Sequence, residues 1–342
     1  MSRLLVAPDK FRGTATAPEV CAAVAAAVGG GIERGSLGAG PVEVVAQPLS
    51  DGGEGVLEAF GGANRRSTVT GPLGTPVEAG WRVDGDLAVV ESAEACGLLV
   101  AGGAEGNDPV GATTRGVGEL LVEARRAGAS RVLLGVGGSA TTDGGAGALA
   151  VLAAAGQDAS GVEICCDVET RFLDAARVYG PQKGADPATV ERLTARLAAL
   201  REEYRERYGV DVAEVPGSGA AGGLAGGLAA AGARLVPGFD RVVAEVGLAA
   251  QVAGADLVVT GEGRLDATSL AGKVVGGVVA LARAAGKPVL VVVGVADADA
   301  RAQLVSGGGV EVLSLVEEVG PRRALQDTAA ALTEVVRAHL AR

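Results

Sequence analysis

Histidine is nearly missing from this chain of 342 residues, and the only one, His339, stands close to the C-terminus. If the chain performs acid–base chemistry, its proton acceptor is therefore a carboxylate or a lysine. His339 falls on an amphipathic tail segment and is expected to face solvent. Lysine is almost as scarce. Of 30 basic residues only four are lysine: Lys10, Lys183, Lys273 and Lys287. The composition drifts to arginine wherever a generic cation suffices. A surviving lysine thus marks a place that needs a compact point charge rather than a planar fork. Three of the four stand in unusual surroundings: Pro-Asp-Lys-Phe-Arg-Gly, Gly-Pro-Gln-Lys-Gly and Ala-Gly-Lys. Lys287, just before an apolar run, is incidental.

Other absences close off whole classes of function. The four cysteines, Cys21, Cys96, Cys165 and Cys166, show no CxxC spacing; three lie in apolar or helical contexts and read as reduced core residues, and the cytoplasm is the default location. There is no surplus of positive charge. The formal net charge of −11 gives no general basic surface to displace counterions, so a nucleic-acid partner is not expected. A small anionic substrate remains compatible, because it needs only a locally positive pocket. No apolar run reaches the roughly 18 residues of a membrane helix, and no leader-like segment follows Met1, so no membrane partner is expected. No G-x-x-x-x-G-K-[ST] occurs, so the chain is not a P-loop nucleotidase. Nothing sets an oligomeric state.

What is present is ample core material, 48% hydrophobic, in a length that suits two domains. Short Val- and Leu-rich runs at 3–8, 42–47, 256–260, 288–294 and 310–315 read as strands of a parallel sheet covered on both faces. Ala-rich amphipathic segments separate them. Between them lie alternating segments joined by turn signals, at 66–70, 77–83 and 87–92, and then helix–strand alternation. The expected fold is α/β. A doubly wound, mostly parallel sheet domain is built from both chain ends, 1–65 and 236–342, and an α+β domain, 66–235, is inserted into it. The segment 187–208, with charges of alternating sign, is expected to be a solvated surface helix.

Two glycine-rich stretches stand out. The first follows the strand-like run 132–136: Gly137-Gly138-Ser139-Ala140-Thr141-Thr142-Asp143-Gly144-Gly145-Ala146-Gly147. Strand, small-residue turn and helix N-terminus together present backbone N–H groups to an anion. The second, Gly217-Ser218-Gly219-Ala220-Ala221-Gly222-Gly223, contains G-x-G-x-x-G. Pro216 spoils the strand a dinucleotide fingerprint needs, so an anion loop is the better reading. Acidic motifs cluster just past the first domain's strands: Asp9-Lys10, Asp51-Gly-Gly-Glu54, and Glu262-Gly-Arg-Leu-Asp266. In a doubly wound sheet these ends form the ligand crevice, so Asp9, Asp51, Glu54, Glu262 and Asp266 are expected along one edge with Lys10, Arg12 and Lys273. Acid beside base there suits Mg²⁺, phosphate and carboxylate.

Ala7-Pro8-Asp9-Lys10-Phe11, Ser50–Gly55, the long Gly137–Gly147 motif, Gly180-Pro181-Gln182-Lys183-Gly184-Ala185, Gly219–Gly223 and Thr260-Gly261-Glu262-Gly263 together resemble the bacterial glycerate kinase family, in the right order along nearly the whole chain. The resemblance implies a two-domain α/β kinase that uses ATP and Mg²⁺ on D-glycerate, with its site in the interdomain cleft and 2-phosphoglycerate as product. On that reading Gly137, Gly138, Ser139, Thr141, Gly144, Gly145, Gly219, Gly222, Gly223 and Lys183 hold the triphosphate. Asp167 or Asp266 holds the metal. Asp51 or Asp143 orients the acceptor hydroxyl, and Lys10 takes part in catalysis. Asp9, Arg12, Glu54, Lys273 and Arg171 line the substrate. Departures lie in one region. The stretch from Gly147 to Cys166 is short for the family, and Glu169-Thr170-Arg171-Phe172 replaces the usual Asn-Pro-Leu. Ala271 stands where the family often has His. A kinase of a related hydroxy acid, a non-catalytic nucleotide-binding homologue and an NAD(P)-dependent reductase are the alternatives.

Overall fold

The computed structural model describes residues 2–29, 41–270 and 272–341; Ala271 lies outside them. The strands run, in chain order, β1 Ser2–Val6, β2 Val42–Ala46, β3 Arg65–Thr70, β4 Pro76–Asp84, β5 Leu87–Glu91, β6 Arg131–Gly135, β7 Val162–Cys165, β8 Arg234–Val236, β9 Leu257–Leu265, β10 Val289–Ala296 and β11 Val310–Ser314. The chain divides into two compact units. One comprises residues 1–51, 58–60 and 239–342, and the other 52–57 and 61–238.

The end-built unit carries a five-stranded sheet of order β11-β10-β9-β1-β2. Every pairing in it is parallel. Its strands are β-branched and unbroken because both faces are covered. Leu4, Val6, Val259, Leu290 and Val292 pack with Val20 and Val24 of the helix Ala17–Val28 and with Leu332 and Val336 of the tail helix Thr328–Leu340. Burial of each such side chain is worth about 1.5–3 kcal/mol. The first of these helices starts cleanly: Thr16 Oγ1 accepts from Glu19 N–H, and Glu19 Oε2 accepts from Thr16 N–H at 2.8 Å. The apolar stretch Ala267–Ala284 is long enough to span a membrane by length and composition alone. Here it is a 3-10 turn, Ala267–Leu270, followed by a helix, Val274–Ala284, that buries Val274, Val275, Val278 and Val279 in the core.

The second unit has a six-stranded sheet of order β3-β4-β5-β6-β7-β8. The pairings β3–β4 and β4–β5 are antiparallel, and the rest are parallel. Two mixed or parallel sheets confirm the α/β class. β8 was not anticipated, because three residues are too few to show a period.

Two local expectations are corrected. His339 is half-buried rather than solvated; its Nε2 lies 3.3 Å from Glu311 Oε2. The helix Pro187–Tyr208 is charged along most of its length, yet Leu193, Leu197 and Tyr204 are buried. Their spacing of four and seven residues makes one stripe, which the alternating charges disguise.

Candidate active site

In the end-built sheet the chain leaves β1 towards β2 on one side, while β9 lies on the other side and leads away to β10 and β11. Connections that depart in opposite directions open a crevice at the carboxyl ends of β1 and β9, the place where doubly wound sheets bind ligands. Asp9 stands just past β1. Its N–H donates to Gly261 O at 2.9 Å, which sets it alongside the tail of β9. β9 runs on beyond Val259, its last residue paired with β1, to Leu265, and Glu262 lies opposite Val293 of β10 in that overhang. The flanking glycines have a steric cause. A Cβ on Gly261 would come within 2.0 Å of Val292 O, and one on Gly263 within 3.3 Å of Arg12 N. Side chains are kept out on both sides, and Glu262 is the one functional group left between them.

The electrostatics of this crevice are strained. Burial pushes the Asp9 carboxyl up to about 6, against the pull of Lys10 and with added repulsion from Asp51. Lys10 Nζ lies 3.7 Å from Asp9 Oδ1, and Lys10 N–H donates to the same oxygen at 2.7 Å. Burial pushes Glu262 up to about 7; a Ser269 hydrogen bond and Lys273 oppose the shift, while Asp9 and Asp266 add to it. Glu262 Oε1 is buried and accepts no hydrogen bond. Lys273 caps the helix Val274–Ala284, and its Nζ donates to Thr268 Oγ1 at 3.3 Å. Arg12 is exposed on the turn between Phe11 and Ala15.

The glycine-rich stretches of the second unit turn out differently. Gly137, Gly138, Ala146 and Gly147 reach the surface, Gly138 the most; residues 139–145 are buried. Lys183 is 3% exposed, and its ammonium donates inward, to Ser139 Oγ at 2.9 Å and Thr141 O at 2.6 Å. Desolvation lowers it to about 8, against the pull of Cys96 and Asp143. Asp143 is equally occupied. Its Oδ2 accepts from Thr114 N, Thr114 Oγ1 and Gly147 N, and its Oδ1 from Gly145 N. Arg196, on the long charged helix, donates to Val110 O at 2.8 Å and Thr142 O at 2.5 Å. Asn107 Nδ2 bridges Ala140 O and Lys183 O. These residues hold the loop from behind. Arg196 and Asn107 were missed, although Arg196 lies between Leu193 and Leu197 on the buried stripe, which was a readable signal.

The second glycine stretch is the packing partner of the first. A Cβ on Gly222, at φ +68°, would lie 1.9 Å from Thr141 O; one on Gly223, at φ +89°, would strike Phe172 and Gly144; one on Gly219 would strike Arg171 O. Gly144 and Gly145 are likewise filled by Leu200, Phe172 and Leu224. Gly144, Gly145, Gly219, Gly222 and Gly223 are therefore small for the sake of the chain's own packing. Ser139 and Thr141 are buried as well. Gly138 is different. At φ +57° it is exposed, and a Cβ there would displace the Glu54 carboxylate, 1.9 Å away. Glu54 packs with this second unit rather than with the acidic edge of the first.

The carboxylates expected to bind metal both accept backbone hydrogen bonds from nearby segments. Asp266 Oδ1 accepts from Thr268 N, Thr268 Oγ1 and Ser269 N, which lowers its pKa and caps the 3-10 turn. Asp167 Oδ1 accepts from Gly238 N at 2.7 Å. Among the described residues no three His, Cys, Asp or Glu side chains are gathered to hold a metal ion. Arg171 is exposed and pairs with Glu214 at 3.7 Å on the surface.

The sequence model of the glycerate kinase family matches residues 4–171 and 157–342. The chain belongs to the glycerate kinase family. The two matched pieces overlap at 157–171, where the sequence departs from the family pattern. An uncharacterized protein of Mycobacterium bovis is 42% identical, over 96% of this chain and 88% of the relative. The glycerate 2-kinase of Escherichia coli is 37% identical over 85% of each chain. The crystal structure of a "putative glycerate kinase 2" from Salmonella typhimurium LT2 superposes with a TM-score of 0.76 at 31% identity, covering 98% of both chains. This family member is a kinase, which sets aside the reductase and the non-catalytic homologue. The buried G-x-G-x-x-G agrees, since its glycines already receive the chain's own backbone.

Proposed function

We propose that this kinase transfers the γ-phosphoryl group of ATP to the 2-hydroxyl of D-glycerate, giving 2-phosphoglycerate. The observation that carries the reading is the crevice at β1 and β9, where Lys10 and Lys273 stand beside two half-buried carboxylates in a chain 37% identical to a glycerate 2-kinase. Lys10, Lys273 and Arg12 supply cations for the substrate carboxylate. Gly137 and Gly138 offer the exposed backbone for phosphate, and Lys183, Asp143 and Arg196 fix that turn from within. Mg²⁺ typically binds through one or two carboxylates together with phosphate oxygens, so no protein cage is needed. Glu54, beside Gly138, would hold it and so offset the charge of the phosphates. The rest of the catalysis is positioning and electrostatics. We place the enzyme in the cytoplasm, in keeping with four cysteines that form no disulfide among the described residues.

The test is a coupled ADP-release assay with D-glycerate, tartronate and D-lactate, with the phosphorylated product identified by ³¹P NMR. ATP-dependent formation of 2-phosphoglycerate is expected. No ADP release with D-glycerate, or 3-phosphoglycerate as the sole product, would overturn the reading. The altered segment 169–172 favours a second reading, broader acceptance of 2-hydroxy acids, which the same panel decides.

A further inference from the structure

We propose that Glu262 is the catalytic base, accepting at Oε1 the proton of the acceptor hydroxyl. The inference rests on the kinase reading above. As the hydroxyl O–H bond breaks, its proton passes to Glu262 Oε1. The hydroxyl oxygen bonds to the γ-phosphorus. The bond from that phosphorus to the bridging oxygen breaks, and its electron pair leaves on ADP. The proton returns to solvent before the next turnover.

Three observations converge on this residue. First, it stands at the switch point of the end-built sheet, in the part of β9 that overhangs β1. Second, its Oε1 is buried with no partner, an arrangement that costs stability and serves no structural purpose in the fold. Third, three of its rivals are already engaged. Asp143 accepts four hydrogen bonds, Asp266 caps its own turn, and Asp9 faces Lys10. The groups that face Glu262 are Asp9 from the end of β1, Asp266 and Ser269 from the turn after β9, and Lys273 from the cap of the following helix. On the β10 side its partner is the apolar Val293. Burial and the nearby Asp9 raise its proton affinity to about 7, where a base is both ionised and effective near neutral pH. The glycines at 261 and 263 admit both neighbouring backbones and leave this one side chain in the gap.

The experiment measures ADP release by the full-length chain with D-glycerate from pH 5.5 to 8.5, for wild type, Glu262→Gln and Glu262→Asp. The base must be ionised, so wild-type kcat is expected to rise through a limb near pH 7 to a plateau above it. Glu262→Gln is expected to lower kcat about 10²–10⁴-fold and to abolish the limb. The KM for D-glycerate and the ATP affinity by calorimetry should stay within roughly threefold. Glu262→Asp should keep a limb at lower pH. A Glu262→Gln variant within tenfold of wild-type kcat, or one that retains the limb, overturns the assignment while leaving the kinase reading intact. A wild-type profile without a limb does the same. If Glu262→Gln does not fold by circular dichroism, Glu262→Asp decides: an unshifted limb overturns the assignment. A wild-type chain that turns over no hydroxy acid overturns both.

Discussion

Asp143 and Glu262 are both carboxylates set among glycines at the end of a strand, and they have opposite surroundings. Asp143 accepts from four donors around a closed loop. Glu262 has a buried oxygen that accepts from none. A buried charge with all its hydrogen bonds made is part of the scaffold, and removing it strands its partners. A buried carboxylate left short of partners holds its proton more tightly and costs the fold free energy. Lys183 belongs with Asp143 on this scale, since its ammonium is turned inward to Ser139 and Thr141. A conspicuous motif is thus not by itself a reactive one; the accounting of hydrogen bonds separates the two.

The largest test of the contrast is steric. Gly222→Val would put a side chain into Thr141 O, at a backbone angle that β-branched residues avoid. We expect a loss of several kcal/mol, or failure to fold, measured by denaturant titration. Gly138→Ala, where only the movable Glu54 side chain is in the way, should cost about 1 kcal/mol. Equal costs at the two positions would mean that the second glycine stretch does not pack as described.

Next comes the direct comparison of the two acids. Asp143→Ala should destabilise by about 3–5 kcal/mol, because four donors lose their acceptor and the Lys183 ammonium loses a nearby opposite charge. Glu262→Gln should instead stabilise. The folded-state pKa of Glu262 is raised, to about 7 from an ordinary 4.5. Between those values the unfolded chain releases a proton that the folded chain keeps. Stability therefore falls as pH rises through the window, and the penalty is complete above about pH 7. Glu262→Gln removes that slope, with an expected gain of about 1–2 kcal/mol at pH 8. Thermal melts from pH 4.5 to 8 check both sign and window; a destabilised Glu262→Gln at pH 8 would place Glu262 with Asp143 among the scaffold.

The smallest effect belongs to Arg171. Its ion pair with Glu214 is exposed, and such pairs contribute little. Arg171→Ala should change stability by less than about 0.5 kcal/mol and leave the KM for D-glycerate unaltered. A several-fold rise in KM would return this side chain to the substrate wall.

The α/β class was legible because it rests on local patterns. Val-rich runs separated by Ala-rich amphipathic segments can form little else, and most strand ends fall within a few residues of the expected places. The meander β3–β4–β5 was legible for the same reason, since its alternation and its turn at Asp84-Gly85-Asp86 are written into neighbouring residues. The glycine stretches stood out in the sequence, but the close approach of the chain's own distant segments to them did not. A glycine admits close approach, and nothing local says whether the visitor is a phosphate or another part of the same chain. Thr141 and Gly222 are 81 positions apart, and only packing brings them together. The same holds for the scarce lysines. Scarcity marked Lys183 as special, but whether its ammonium points outward or inward depends on Ser139 and Thr141, which the chain returns to it from more than forty residues away. Glu262 was only one of five acids expected along one sheet edge from the sequence. Its distinction comes from β9 overhanging β1 at the switch point and from desolvation among distant segments. Propensity and periodicity act over a few residues and can be read along the chain; burial and hydrogen-bond satisfaction depend on contacts across it and come into being only with the fold.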